Sequence, residues 1–133
     1  MSGFDICMKA YTAFGPYEKR MEEIDNGDLY VRRDKNPWER VEVKQRKLDF
    51  TDSFPYPTMF VCACHSWDNA DPQPVVIIYP NRTLTHFAYL FTDTSDRWTK
   101  RKVSDRRYEA MNQDTYCVDT SMVRFRSFDE LWA

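Results

Sequence analysis

Cys62, Cys64 and His65 are the one grouping in this chain of 133 residues whose types suit metal or thiol chemistry, and His86 supplies the only other imidazole. Zinc takes four tetrahedral nitrogen or sulfur ligands, and structural cysteine pairs usually have roughly two to four residues between them. Here a single residue separates Cys62 from Cys64. On a strand, alternation sets His65 on the face opposite both thiols, and no second pair completes a ligand set. The enzyme reading makes Cys64 a nucleophile activated by His65 or His86, with Asp68 or Asp71 as orienter. A thiolate needs a partly exposed, electropositive setting, whereas Cys64 sits in an apolar run. We therefore read these cysteines as small apolar packing groups, and expect no metal, no cofactor and no catalytic residue.

The remaining constellations are electrostatic and aromatic. Asp68 with Asp71, and Asp93 with Asp96, are carboxylate pairs, but each falls in a turn-like stretch where Asp bonds backbone N–H groups. Arg97-Trp98-Thr99-Lys100-Arg101-Lys102 continues to Arg106 and Arg107. Arg32, Arg33, Arg40, Arg46 and Lys47 make a second basic group, and Arg124 with Arg126 a third. Aromatic residues are interleaved with these cations, an arrangement able to stack bases and clamp phosphates. The same cations also suit an edge strand guarded against aggregation. Tyr56 stands between two prolines, Trp67 in a polar stretch and Trp132 beside the C-terminus. Aromatic and arginine side chains dominate protein–protein hot spots. The expected partner-binding set is Tyr56, Trp67, Arg97, Trp98, Arg101, Arg106, Arg107 and Trp132.

The elements that must position these groups are mostly strands. Val75-Val76-Ile77-Ile78-Tyr79 and Thr83 to Phe91, broken by Pro80-Asn81-Arg82, predict a central antiparallel hairpin. The second strand is apolar on both faces, with Phe87, Tyr89 and Phe91 on one side and Leu84, His86, Ala88 and Leu90 on the other. It must be covered on both. Further strands are expected from Phe4 to about Phe14, at Leu29-Tyr30-Val31, over Val41 to Lys44, Met59 to His65, Trp98 to Val103 and Tyr116 to Phe125. The four-and-three spacing of Tyr17, Met21 and Ile24, with Pro16 before and Asn26-Gly27 after, predicts a short helix. Ser104 is placed to cap another through Met111, and Ser127-Phe128-Asp129-Glu130 reads as a capping box for a terminal turn.

Length and composition bound the rest. The chain is most simply one domain, residues 1–133, able to bury roughly two-thirds of its unfolded surface without a metal or disulfide. Aromatic residues make up 16% of it and there are 3 glycines, which favours a Phe-, Tyr-, Val- and Ile-rich sheet core and disfavours glycine-rich phosphate loops. A net charge of −2 argues against bulk binding to nucleic acid or anionic membrane. No signal segment or membrane span is visible, and Cys62 and Cys64 are too far apart on one strand face for easy bridging. A reducing cytoplasm is the expected location.

The expected fold is α+β: a curved, mainly antiparallel sheet of about six to eight strands with one or two short helices packed on it. The expected function is non-enzymatic, stoichiometric association with another macromolecule, most simply another protein. Composition associates the chain with small phage- or mobile-element-encoded inhibitors or accessory proteins. A nucleotide or single-stranded nucleic-acid binding module is the alternative, and a cysteine-dependent enzyme the third reading.

Overall fold

A computed structural model describes residues 18–22, 28–32, 39–44, 48–105 and 110–127. Nine strands lie among them: β1 (Glu18–Glu22), β2 (Asp28–Arg32), β3 (Glu39–Val43), β4 (Thr58–Ala63), β5 (Val76–Pro80), β6 (His86–Phe91), β7 (Thr99–Asp105), β8 (Ala110–Asp119) and β9 (Arg124–Ser127). A short helix, α1 (Cys64–Asp68), follows β4. Two 3-10 turns, Thr92–Arg97 and Thr120–Met122, are the other regular elements among the described residues.

The strands form two sheets, six strands in the order β1-β2-β3-β5-β6-β9 and three in the order β4-β8-β7. The expected class, sheet with few helices, is what is found, but as two sheets that are not strongly curled rather than one bent sheet. All neighbours are antiparallel except β3 and β5, which pair in parallel from Val41↔Val76 to Val43↔Ile78. A parallel pair needs a crossover connection. Here that crossover leaves the large sheet to build β4 and α1.

The central hairpin is β5 and β6, in register from Val76↔Phe91 to Pro80↔Phe87. Its alternation divides the core. Ile77, Tyr79, Ala88 and Leu90 meet Met59, Val61, Cys62 and Val118 of the small sheet, with Phe50, Trp98 and Val123 closing the cluster. The Tyr79 hydroxyl donates to the Val61 carbonyl at 2.8 Å, tying one sheet to the other inside this core. On the opposite face Val41, Val76, Ile78, Phe87 and Tyr89 are buried as well. The large sheet is therefore covered on both sides, as a doubly apolar strand requires.

Four local expectations are corrected. Residues 18–22 are strand β1, not helix, because cross-strand pairing with β2, from Glu18↔Arg32 to Glu22↔Asp28, outweighs a three-residue apolar spacing. Ser104 lies in β7 and Met111 in β8; pairing that runs from Thr99↔Cys117 to Asp105↔Ala110 leaves no helix at these positions. β4 ends at Ala63, and the chain coils into α1, where the Asn69 amide donates to the His65 carbonyl at 2.9 Å. The expected strand from Tyr116 to Phe125 is two strands. The Asp119 carboxylate accepts from the Ser121 N–H at 2.9 Å, and this turn sends the chain from the small sheet to the edge of the large one. The N-terminal strand and the C-terminal helical turn expected from sequence lie outside the described residues.

Candidate interaction surface

The segment 48–57 carries the most exposed large ring of the described residues, and it is held at both ends. Near its start, Arg82 N–H donates to the Leu48 carbonyl at 2.8 Å and the Asn81 amide donates to the Phe50 carbonyl at 2.8 Å. At its end, Thr120 donates twice, from its hydroxyl to the Tyr56 carbonyl at 2.7 Å and from its N–H to the Pro57 carbonyl at 2.9 Å. Between these anchors the rings step outward. Phe50 is buried against Phe125 at 5.6 Å, Phe54 meets Phe50 edge-on at 6.3 Å, and Tyr56 meets Phe54 edge-on at 5.5 Å. Tyr56 is 64% exposed. Pro55 and Pro57 on either side of it limit backbone freedom, so the ring is presented with little left to order.

Phe60, 43% exposed, lies on the outer face of the small sheet, opposite Cys117 in β8. Strand alternation places Thr99 and Arg101 of β7 on that face, and Lys100 and Lys102 on the other. β7 is the edge of its sheet, and Thr99, Lys100, Arg101 and Lys102 are all exposed. Lys100 Nζ stands 5.6 Å from the centre of the Tyr116 ring. Arg97, also exposed, precedes the strand at the end of the 3-10 turn.

Other expected anchors are packing groups. Trp98 is 9% exposed, belongs to the core, and donates from its indole N–H to the Thr94 hydroxyl at 3.1 Å. Trp67, half-buried in α1, crosses Trp98 at 4.9 Å and 62°. Their area is spent on each other and on Tyr116, 5.9 Å from Trp98, rather than on solvent. Of the expected set, Tyr56, Arg97 and Arg101 stand outward; Arg106, Arg107 and Trp132 lie outside the described residues.

Cys62 and His65 line one cleft, but Cys64, Cys117 and His86 do not join them there. Cys62, Cys64 and Cys117 are buried and outside any disulfide. Burial pushes the Cys64 thiol up, against the pull of Lys100, which is the reverse of nucleophile activation. His86 is occupied on the far side of the core: Nδ1 lies 3.0 Å from the Thr85 hydroxyl and Nε2 3.5 Å from the Asp52 carboxylate. Among the described residues no three His, Cys, Asp or Glu side chains are grouped to hold a metal ion.

Sequence reasoning missed a cleft of about 500 Å³ between β3 and α1, lined by Arg40, Glu42, Cys62, His65, Trp67 and Asp71 among others. Arg40 donates to the Pro72 carbonyl at 3.2 Å, and Glu42 lies 3.5 Å from Lys44. The wall thus mixes charges of both signs, with Arg40 and Glu42 each in contact with another group of the protein. No spacing in the chain announces this cleft, because its walls come from separate sheets.

Comparison with family models, curated proteins and solved structures finds no match. Among the described residues no helix is long and apolar enough to cross a membrane.

Proposed function

We propose that this chain works without catalysis, by stoichiometric association with another protein, and that Tyr56 is the centre of the contact. The observation that carries this reading is the exposed Tyr56 ring on a segment anchored at both ends. A rigid, exposed aromatic loses little conformational freedom on docking, which is the property hot spots share. Phe60 adds apolar area, and the cations of β7 with Arg97 supply complementarity toward an acidic rim. The action that suits such a surface is occlusion: the ring enters a pocket of the partner and the basic edge fixes register. An inhibitor or accessory protein in the cytoplasm is the role this mechanism serves.

The test is affinity capture from the native host with the wild-type chain and Tyr56→Ala in parallel, followed by a binding measurement on the captured protein. Tyr56→Ala removes an exposed ring, so the melting temperature stays within a few degrees. Affinity falls by about 2 kcal/mol or more, roughly thirtyfold. A partner that binds the variant as tightly as the wild type refutes the central place of Tyr56.

A further inference from the structure

We propose that the open edge of β7 accepts an extended, acidic peptide strand of the partner, paired by main-chain hydrogen bonds and fixed by Lys100, Arg101 and Lys102. This rests on the binding-protein reading above and names the element recognised. In a strand covered by protein on one face, every second side chain is buried. Thr99 to Lys102 are instead exposed at four consecutive positions, at the end of the three-stranded sheet. Among the described residues β7 pairs with β8 alone, so on the side away from β8 every second residue turns its N–H and C=O outward. Three successive cations sit on this stretch with Arg97 just before it, and among the described residues Arg97, Arg101 and Lys102 make no ion pair. The whole chain carries a net charge of −2, so this cationic edge runs against the overall balance.

Charge decides the occupant. A second copy of β7 would set like charges against one another, which disfavours pairing, and the same cations repel any basic strand. An acidic strand is attracted at each position. Because successive side chains alternate faces, Lys100 and Lys102 meet acids on one side while Arg101 meets an acid on the other. Consecutive acidic residues in an extended segment therefore fit the edge on both faces. Strand addition is an established mode of peptide recognition in which the backbone supplies affinity and the side chains supply choice.

The experiment uses the full chain and an acetylated, amidated peptide of sequence Val-Thr-Glu-Glu-Glu-Thr-Val. Binding is read by fluorescence anisotropy, and by slowed amide exchange at Thr99 to Lys102. The Glu peptide is expected to bind. The peptide with Gln for Glu, and the double variant Arg101→Glu/Lys102→Glu, each lose about tenfold or more. A peptide N-methylated at alternate residues loses binding to the same extent, because it cannot complete the ladder. The peptide carries no pocket for the Tyr56 ring, so a failure here is separate from a failure of the Tyr56 contact. Undiminished binding of the N-methylated peptide overturns strand addition. Tighter binding of a thymidine oligonucleotide, falling steeply with salt, assigns the edge to nucleic acid and overturns the proposal. Absence of peptide binding overturns it as well.

Discussion

Asn81→Ala is expected to destabilise the fold by about 3 kcal/mol, more than a turn residue ordinarily costs. Asn81 is only 4% exposed. Its amide nitrogen donates to the Phe50 carbonyl at 2.8 Å and to the Thr85 hydroxyl at 2.9 Å. Its amide oxygen accepts from the Thr85 N–H at 2.9 Å and the His86 N–H at 3.2 Å. Those last two bonds close a turn in which Leu84 takes φ 58°, a left-handed conformation that costs a residue with a Cβ roughly 1–2 kcal/mol. Thr85 is exposed, so water replaces its lost bonds at small cost. Phe50 is buried, so its stranded carbonyl forfeits about 1–3 kcal/mol of hydration. The half-buried His86 N–H and the relaxed Leu84 turn account for the remainder. For a chain of 133 residues, about 3 kcal/mol corresponds to a fall of roughly 10 °C in melting temperature. Scanning calorimetry and guanidinium denaturation measure it. Asn81→Asp keeps the acceptor, removes both donors and sets a carboxylate against the Phe50 carbonyl, so its loss should be at least as large as that of Asn81→Ala. Because Phe50 begins the ring series that ends at Tyr56, hydrogen exchange across residues 50–56 should accelerate in both variants. A loss below about 1 kcal/mol in both, with exchange unchanged, would refute the claim that this side chain fastens the segment to the hairpin.

Two further outcomes follow from titration and burial. The Tyr116 hydroxyl donates to the Asp68 carboxylate at 2.8 Å, and that bond, with burial and the Asp68 charge adding to it, pushes the phenol from its ordinary 10 up to about 12. The protonated phenol is the form the fold favours, so its contribution to stability is complete below pH 10 and is lost as pH rises through about 12. The ultraviolet difference between wild type and Tyr116→Phe isolates this titration, and Asp68→Asn should return it toward the ordinary value; an unmoved transition would show that Asp68 is not the cause. Iodoacetamide at neutral pH should leave Cys62, Cys64 and Cys117 unmodified in the native chain and label all three in denaturant, as read by peptide mass spectrometry. Rapid native labelling of Cys64 would restore the thiol-nucleophile reading.

Much of the large sheet is legible in the sequence because its strands signal locally. Val76 to Tyr79 are β-branched or aromatic, and the residues between them and His86 include a proline and an asparagine suited to a turn. Strand β3 and the basic edge β7 are legible for the same reason. Residues 17–24 mislead because three apolar side chains at four-and-three spacing are too few to distinguish a helical stripe from a strand whose partner is not yet known. The division into two sheets is set by contacts remote in sequence. The Tyr79–Val61 bond spans 18 residues, and the Asn81–Phe50 bond spans 31. Trp67 illustrates the limit at the site. Polar neighbours in sequence suggest exposure, but a one-and-a-half-turn helix rotates its ring onto Trp98. Tyr56 stands between two prolines instead and stays outward, because they prevent the segment from coiling down.

The two sheets divide structural work from contact, and this bears on where a partner binds. The large sheet is buried on both faces at its centre, so its hairpin has little side-chain surface to offer. Its role is support: residues 81 to 86 hold the 48–57 segment by the Arg82–Leu48 backbone bond, by the Asn81 amide, and by the Arg82–Asp49 and His86–Asp52 contacts at 3.1 Å and 3.5 Å. The small sheet meets the core cluster through Met59, Val61 and Val118, and on its other face Phe60, Thr99 and Arg101 are exposed while Cys117 between them is buried. Tyr56 stands two residues before β4, and Arg97 two residues before β7. In the order β4-β8-β7 the first residues of β4 and β7 flank the last residues of β8, from Thr58↔Asp119 to Thr99↔Cys117. The exposed ring and the start of the cationic edge therefore lie at the same end of the small sheet, separated by about two strand spacings, near 10 Å. A partner surface of ordinary size spans that distance easily. One protein can accordingly engage Tyr56 with a pocket and β7 with an acidic strand at the same time. Each contact then raises the effective concentration for the other, and substitutions at the two places should weaken the complex independently, with energies that add.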